Sequence, residues 1–181
     1  MNQKEFDIIK TTKEGLVKPQ DFGIKPKYCS SILMRGYVTS YKIDSDLNLI
    51  LNNFCVNVNM NDDIKFVNGI PPHISSKTDI KSGTTFREYR DPNLPVEYSG
   101  YILIGHKIIK LLDTKYRLYG ADYEEVIELS VKKGKVISIN NLSEKMLQHK
   151  MKFKDGDWEL DIQNTTFDNE ILKWLFKDIE F

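Results

Sequence analysis

Ser31-Ile32-Leu33-Met34-Arg35-Gly36-Tyr37-Val38-Thr39-Ser40-Tyr41-Lys42-Ile43-Asp44-Ser45-Asp46-Leu47-Asn48-Leu49-Ile50-Leu51, a stretch continuing to Val58, decides the fold class. Leu33, Arg35, Tyr37, Thr39, Tyr41 and Ile43 recur at every second residue, the period that places side chains on one face of a strand. The run is rich in aromatic and β-branched residues, which suit a pleated, half-buried surface. After Asp44-Ser45-Asp46 the alternation resumes with Leu47, Leu49 and Leu51. A loop of Asp44 to Asp46 sets Ile43 opposite Leu47, Tyr41 opposite Leu49 and Thr39 opposite Leu51, with the apolar partners together. A loop one residue shorter sets Tyr41 opposite Asn48. A one-residue slip turns every side chain to the wrong face, so the pattern predicts the longer loop, with Asp46 left-handed.

Glu125 to Asn141 reads as a second hairpin. Its loop, Lys132-Lys133-Gly134, is expected to set Leu129 opposite Ile137 and Ile127 opposite Ile139, with Gly134 at positive φ. Val96 to Ile109 carries apolar residues on both faces, as a strand covered on both sides does. Phe6, Ile8 and Ile9 begin an edge strand, and Leu16 to Tyr28, punctuated by Pro19, Gly23 and Pro26, reads as loop. Ser143 is expected to cap a short helix ending near Lys150, with Leu142 packed on Leu147 as a hydrophobic staple. Trp158 to Ile162 alternates as a last strand. A closing helix from Asp168 to Ile179 carries the apolar stripe Ile171, Leu172, Leu175, Phe176 and Ile179. Gly69 to Pro95 holds four of the six prolines and no clear period, which predicts a long flexible loop at 69–95.

These elements are expected to form a single domain over 1–181. The expected fold is mainly β, all-β or α+β: an antiparallel curled sheet or incomplete barrel built from long hairpins, with a C-terminal helix packed on it. The 26 basic and 26 acidic side chains balance, and no run of Lys and Arg makes a phosphate footprint, so nucleic acid is not an expected partner. No apolar run approaches the roughly 20 residues of a membrane helix, and Met1 to Asp7 lacks the apolar centre of a signal peptide. Cys29 and Cys55 are too few for a disulfide framework. A soluble, cytoplasmic protein that does not contact membrane is the expectation.

Arg35-Gly36-Tyr37-Val38-Thr39-Ser40-Tyr41-Lys42-Ile43 resembles the opening hairpin of a group of uncharacterised bacterial proteins with an Arg-Gly-Tyr-Val run. Pro95-Val96 leading to Tyr98-Ser99-Gly100-Tyr101-Ile102 is similar to the aromatic-Ser-Gly segment of that group. Tyr116, Gly120 and Tyr123-Glu124 are similar to its Tyr, Gly and Tyr-Glu positions, and the strand running to Gly134 to its glycine turn. The chain departs from the pattern at Asp44-Ser45-Asp46, where the group has glycine, and at Tyr41, where it has tryptophan. It departs again at the long Gly69–Pro95 excursion. The resemblance implies a bacterial source and no known activity.

His73, His106 and His149 have no ligand spacing to one another or to a cysteine, so no metal and no cofactor are expected. No nucleophile elbow, phosphate-binding loop or dinucleotide fingerprint is present. Arg87-Glu88-Tyr89-Arg90-Asp91 mixes signs and reads as a solvated loop. A non-catalytic binding or interaction protein, recognising a protein partner through its aromatic-rich strands, is the first expectation. The alternative is a binder of a small anionic ligand, or a hydrolase, with a β-lined cavity built from Arg35, Tyr37, Tyr41 and a carboxylate such as Glu124. Glu97 and Glu128 are further partners for Arg35.

Overall fold

The computed structural model describes residues 5–13, 16–28, 35–74, 82–108 and 123–152, the last five by main chain only. The expected last strand at Trp158–Ile162 and the closing helix at Asp168–Ile179 lie outside the described residues. The fold is mainly β: two antiparallel four-stranded sheets, not closed into a barrel, and a short helix towards the C-terminus. One sheet runs in the order β2 (Tyr37–Ile43), β3 (Leu49–Asn59), β5 (Thr84–Pro95), β4 (His73–Ile74). The other runs β1 (Asp7–Thr11), β6 (Gly100–Ile108), β7 (Tyr123–Lys132), β8 (Lys135–Asn141). Contacts divide the chain into two compact units. The larger is Ile8–Ile104 with Glu128–Asn140; the smaller is Met1–Asp7, Gly105–Ile127 and Asn141–Phe181.

The β2–β3 loop has the expected length one residue further on. Leu47 N donates to Asp44 O at 3.1 Å and Asp44 N to Asn48 O at 3.0 Å, so the loop is Ser45-Asp46-Leu47, and Leu47, at φ 65°, is the left-handed residue. The Asp44 carboxylate is the reason. Its Oδ1 accepts from the main-chain N–H of Asp46 at 2.9 Å and of Asn48 at 2.8 Å, and Oδ2 from Asn48 Nδ2 at 3.0 Å. An Asp that bonds the main chain two residues on belongs before the turn, not inside it. The register is therefore Ile43 opposite Leu49 and Tyr41 opposite Leu51, two residues from the expected pairing. A shift of two keeps the side chains between the turn and Leu51 on their expected face; beyond Asn52 the ladder shifts once more, so Phe54 rather than Leu51 stands opposite Thr39.

Arg35 is not in β2. Gly36, at φ 71°, turns the chain before the strand, and a Cβ there would collide with the Lys27 carbonyl oxygen. The alternation that includes Arg35 ends at that turn, and its side chain is exposed rather than inward.

The expected loop at 69–95 contains a twelve-residue strand, β5. Its prolines hid it. Between Arg90, opposite Asn53, and Leu94, opposite Leu51, three residues face Asn52 alone. Pro92 sits in that bulge, where no ladder hydrogen bond is required of it. Asp91 and Asn93 flank it at φ 46° and 47°, a conformation Asp and Asn tolerate. Asn68 Nδ2 donates to Pro92 O at 2.7 Å and holds the bulge. The β2–β3 ladder shifts at the same place, between Ser40 and Tyr41, so Asn52 is unpaired on both sides.

The second hairpin turns on two residues, not three. β7 ends at Lys132, β8 begins at Lys135, and Lys133 and Gly134 lie at φ 48° and 77°, the type I′ pattern. Gly134 is left-handed as expected, but the shorter loop sets Val131, not Ser130, opposite Val136, and Leu129 no longer faces Ile137; Val131 and Val136 are buried, and Ile137 and Ile139 are exposed. Tertiary bonds select this turn: Leu49 N donates to Gly134 O at 2.7 Å, Gly134 N to Tyr98 O at 2.8 Å and Val136 N to Leu47 O at 2.8 Å. Ser99 Oγ accepts from Lys133 N at 2.8 Å.

Helix α1 spans Ser143–Lys152. Asn141 Oδ1 accepts from Ser143 N at 2.9 Å, so Asn141 supplies the capping side chain expected of Ser143. Ser143 Oγ instead accepts from Val126 N at 3.0 Å, tying the helix start to β7. Leu142 and Met146 are buried and Leu147 is exposed, so the expected staple partner faces solvent.

Candidate functional site

Directly opposed residues in an antiparallel ladder share a face. On the inner face of the β2-β3-β5 sheet the register sets Tyr37, Val56 and Arg87 in one row and Thr39, Phe54 and Tyr89 in the next. Val58 and Thr85 form a third. Phe54 is the hub of the aromatic side chains. Its ring stacks on Tyr89 at 5.5 Å, meets Tyr37 edge-on at 6.4 Å and lies 5.8 Å from Phe22. Phe22 comes from the 16–28 segment, which a short 3-10 helix, Pro19–Phe22, folds tightly. Tyr41 lies further along β2. Burial pushes its phenol up to about 12, and the nearby Tyr37 and Asp21 add to this; hydrogen bonds to Thr39 and the Val17 main chain oppose it.

Arg87 and Tyr89, two neighbours on this face, hold a second segment by its carbonyls. Arg87 Nη1 donates to Asp63 O at 2.6 Å and Nη2 to Asp62 O; the Tyr89 hydroxyl donates to Lys65 O at 2.9 Å. The segment begins from a fixed turn, in which Asp62 Oδ2 accepts from Asn59 N at 3.2 Å and Oδ1 from Asn59 Nδ2 at 3.1 Å. Its carbonyls face the sheet and its large apolar side chains do not: Ile64 is 52% and Phe66 59% exposed. The loop reading of Arg87–Asp91 is thereby corrected, since Arg87 and Tyr89 are buried strand residues. Their signal is present in the sequence: Thr85, Arg87 and Tyr89 alternate with Phe86, Glu88 and Arg90.

Tyr37 and Tyr41 are brought to this inner face, both half-buried. Arg35 stands exposed in the turn before β2 and, among the described residues, is in no ion pair. Glu124 belongs to the smaller unit, where its exposed carboxylate meets Lys107 Nζ at 3.1 Å. Glu97 is exposed, and Glu128 is buried with Oε1 accepting from Asn140 Nδ2 at 3.2 Å. Among the described residues no three His, Cys, Asp or Glu side chains are arranged to hold a metal ion. None of their helices is long and apolar enough to cross a membrane. No family model, curated protein or solved structure matches this chain.

Proposed function

We propose that this chain is a non-catalytic interaction protein whose recognition surface is the exposed strip Asp62 to Phe66. The observation that carries the reading is the display of Ile64 and Phe66 in solvent on a main chain pinned from beneath by Arg87 and Tyr89. Two large apolar side chains at i and i+2 give a partner two anchors, and a strip already held in place loses little entropy on binding. Among the described residues no hydrogen bond is donated by the main-chain N–H of Ile64, Lys65 or Phe66. An extended segment of a partner protein would accept from those of these donors that face it, as an added strand does with alternate residues.

The test is affinity capture with the native chain and with an Ile64→Asp/Phe66→Asp double variant of equal melting temperature. A partner retained by the native chain and lost by the variant supports the strip. Equal retention by both, or no retained partner, overturns it.

A further inference from the structure

Arg87 is 3% and Thr85 5% exposed, and they are next neighbours on the inner face of β5. Arg87 uses Nη1 and Nη2 on the carbonyls of Asp63 and Asp62, but among the described residues its Nε–H and the Thr85 hydroxyl have no hydrogen-bond partner. No carboxylate among the described residues forms an ion pair with Arg87; Asp63 lies 3.9 Å from Lys65 Nζ, and Asp62 is occupied by Asn59. A guanidinium stays charged in a protein, and a buried charge facing only carbonyl dipoles is under-compensated. Two unused donors beside one unbalanced positive charge make a site for an anion, whereas a bridging water would satisfy the donors and leave the charge.

We infer that Thr85 and Arg87 bind a small monovalent anion of the halide class, held by the Nε–H and the Thr85 Oγ–H. The Cα atoms of residues two apart in a strand are roughly 6.5 Å apart and their side chains leave on the same face, so one ion can take donors from both. Val56 and Val58, opposite Arg87 and Thr85 on the same face, supply an apolar floor, which suits a weakly hydrated ion. The anion would neutralise the cation that fixes the 62–66 strip, but the site stands on its own donors and does not depend on the strip binding a partner.

The test is the thermal unfolding midpoint of the full chain in sodium chloride against sodium gluconate at equal ionic strength. A ligand bound only by the folded state raises the midpoint with its concentration, and chloride fits the site where gluconate does not. General salt effects run the other way, because strongly hydrated anions stabilise by exclusion. The expected result is a higher midpoint in chloride, and excess broadening of the chloride magnetic resonance line that bromide reverses. Thr85→Val keeps the side-chain shape and removes one donor; it should weaken the chloride dependence about tenfold, the loss of one hydrogen bond to a charge. Equal midpoints in both salts, no excess line broadening, or an unchanged dependence in Thr85→Val would overturn the assignment.

Discussion

Phe54 and Tyr89 stack across the β3–β5 ladder with ring centroids 5.5 Å apart and planes inclined by 19°. They face each other because β5 is a strand, and the Tyr89 hydroxyl still reaches Lys65 O. Phe54 is fully buried and touches three other rings. Phe54→Ala should therefore destabilise the chain by about 3–5 kcal/mol, the cost of an aromatic cavity that rigid strands cannot close. Denaturant titration checks it, and a loss under about 1 kcal/mol would show that the cluster is not a structural hub.

Gly134 is the tightest point of the second hairpin. An added Cβ would stand 2.5 Å from the Val96 carbonyl oxygen, at a φ of 77° that L residues disfavour. Main chain, unlike the end of a long side chain, does not move aside cheaply. Gly134→Ala should cost about 2 kcal/mol or more. A melting temperature equal to that of the native chain would contradict both the turn type and the Val96 contact.

Tyr41 predicts an alkaline limit. Its folded pKa, about 12, lies above the ordinary phenol value of about 10 that it takes once unfolded. Between those values the unfolded chain loses this proton and the folded chain keeps it, so stability falls as pH rises from about 10 to 12. Below pH 10 the contribution is complete. Tyr41→Phe should flatten this part of the stability profile without abolishing it, because burial also raises the Tyr89 phenol. Phenolate absorbance and denaturant midpoints measured across that window test the sign; an unchanged slope in Tyr41→Phe would refute it.

Local alternation made much of the fold legible. The inner-face positions of Tyr37, Thr39 and Tyr41, the edge strand β1 and the left-handed Gly134 are short-range properties, settled by period and by the lack of a side chain. The first loop moved by one residue because Asp44 prefers to bond its own main chain, a rule also written in the sequence. Arg35 falls outside β2 because Gly36 interrupts the strand period, and a glycine alone does not announce whether it turns.

By itself, then, the sequence determined that this protein is built of antiparallel strands and which side chains of β2 turn inward, because alternation and strand propensity act over a few residues. Only the tertiary structure decided three things. It set Pro92 in a bulge opposite Asn52, so that a proline-bearing segment became a core strand. It chose the two-residue turn at Lys133-Gly134, because Leu49, Tyr98 and Leu47 bond that turn from distant parts of the chain. It also buried Arg87 beneath Asp62 and Asp63. Each depends on which remote main chain supplies a donor or acceptor, and such bonds leave no period in the residues that make them.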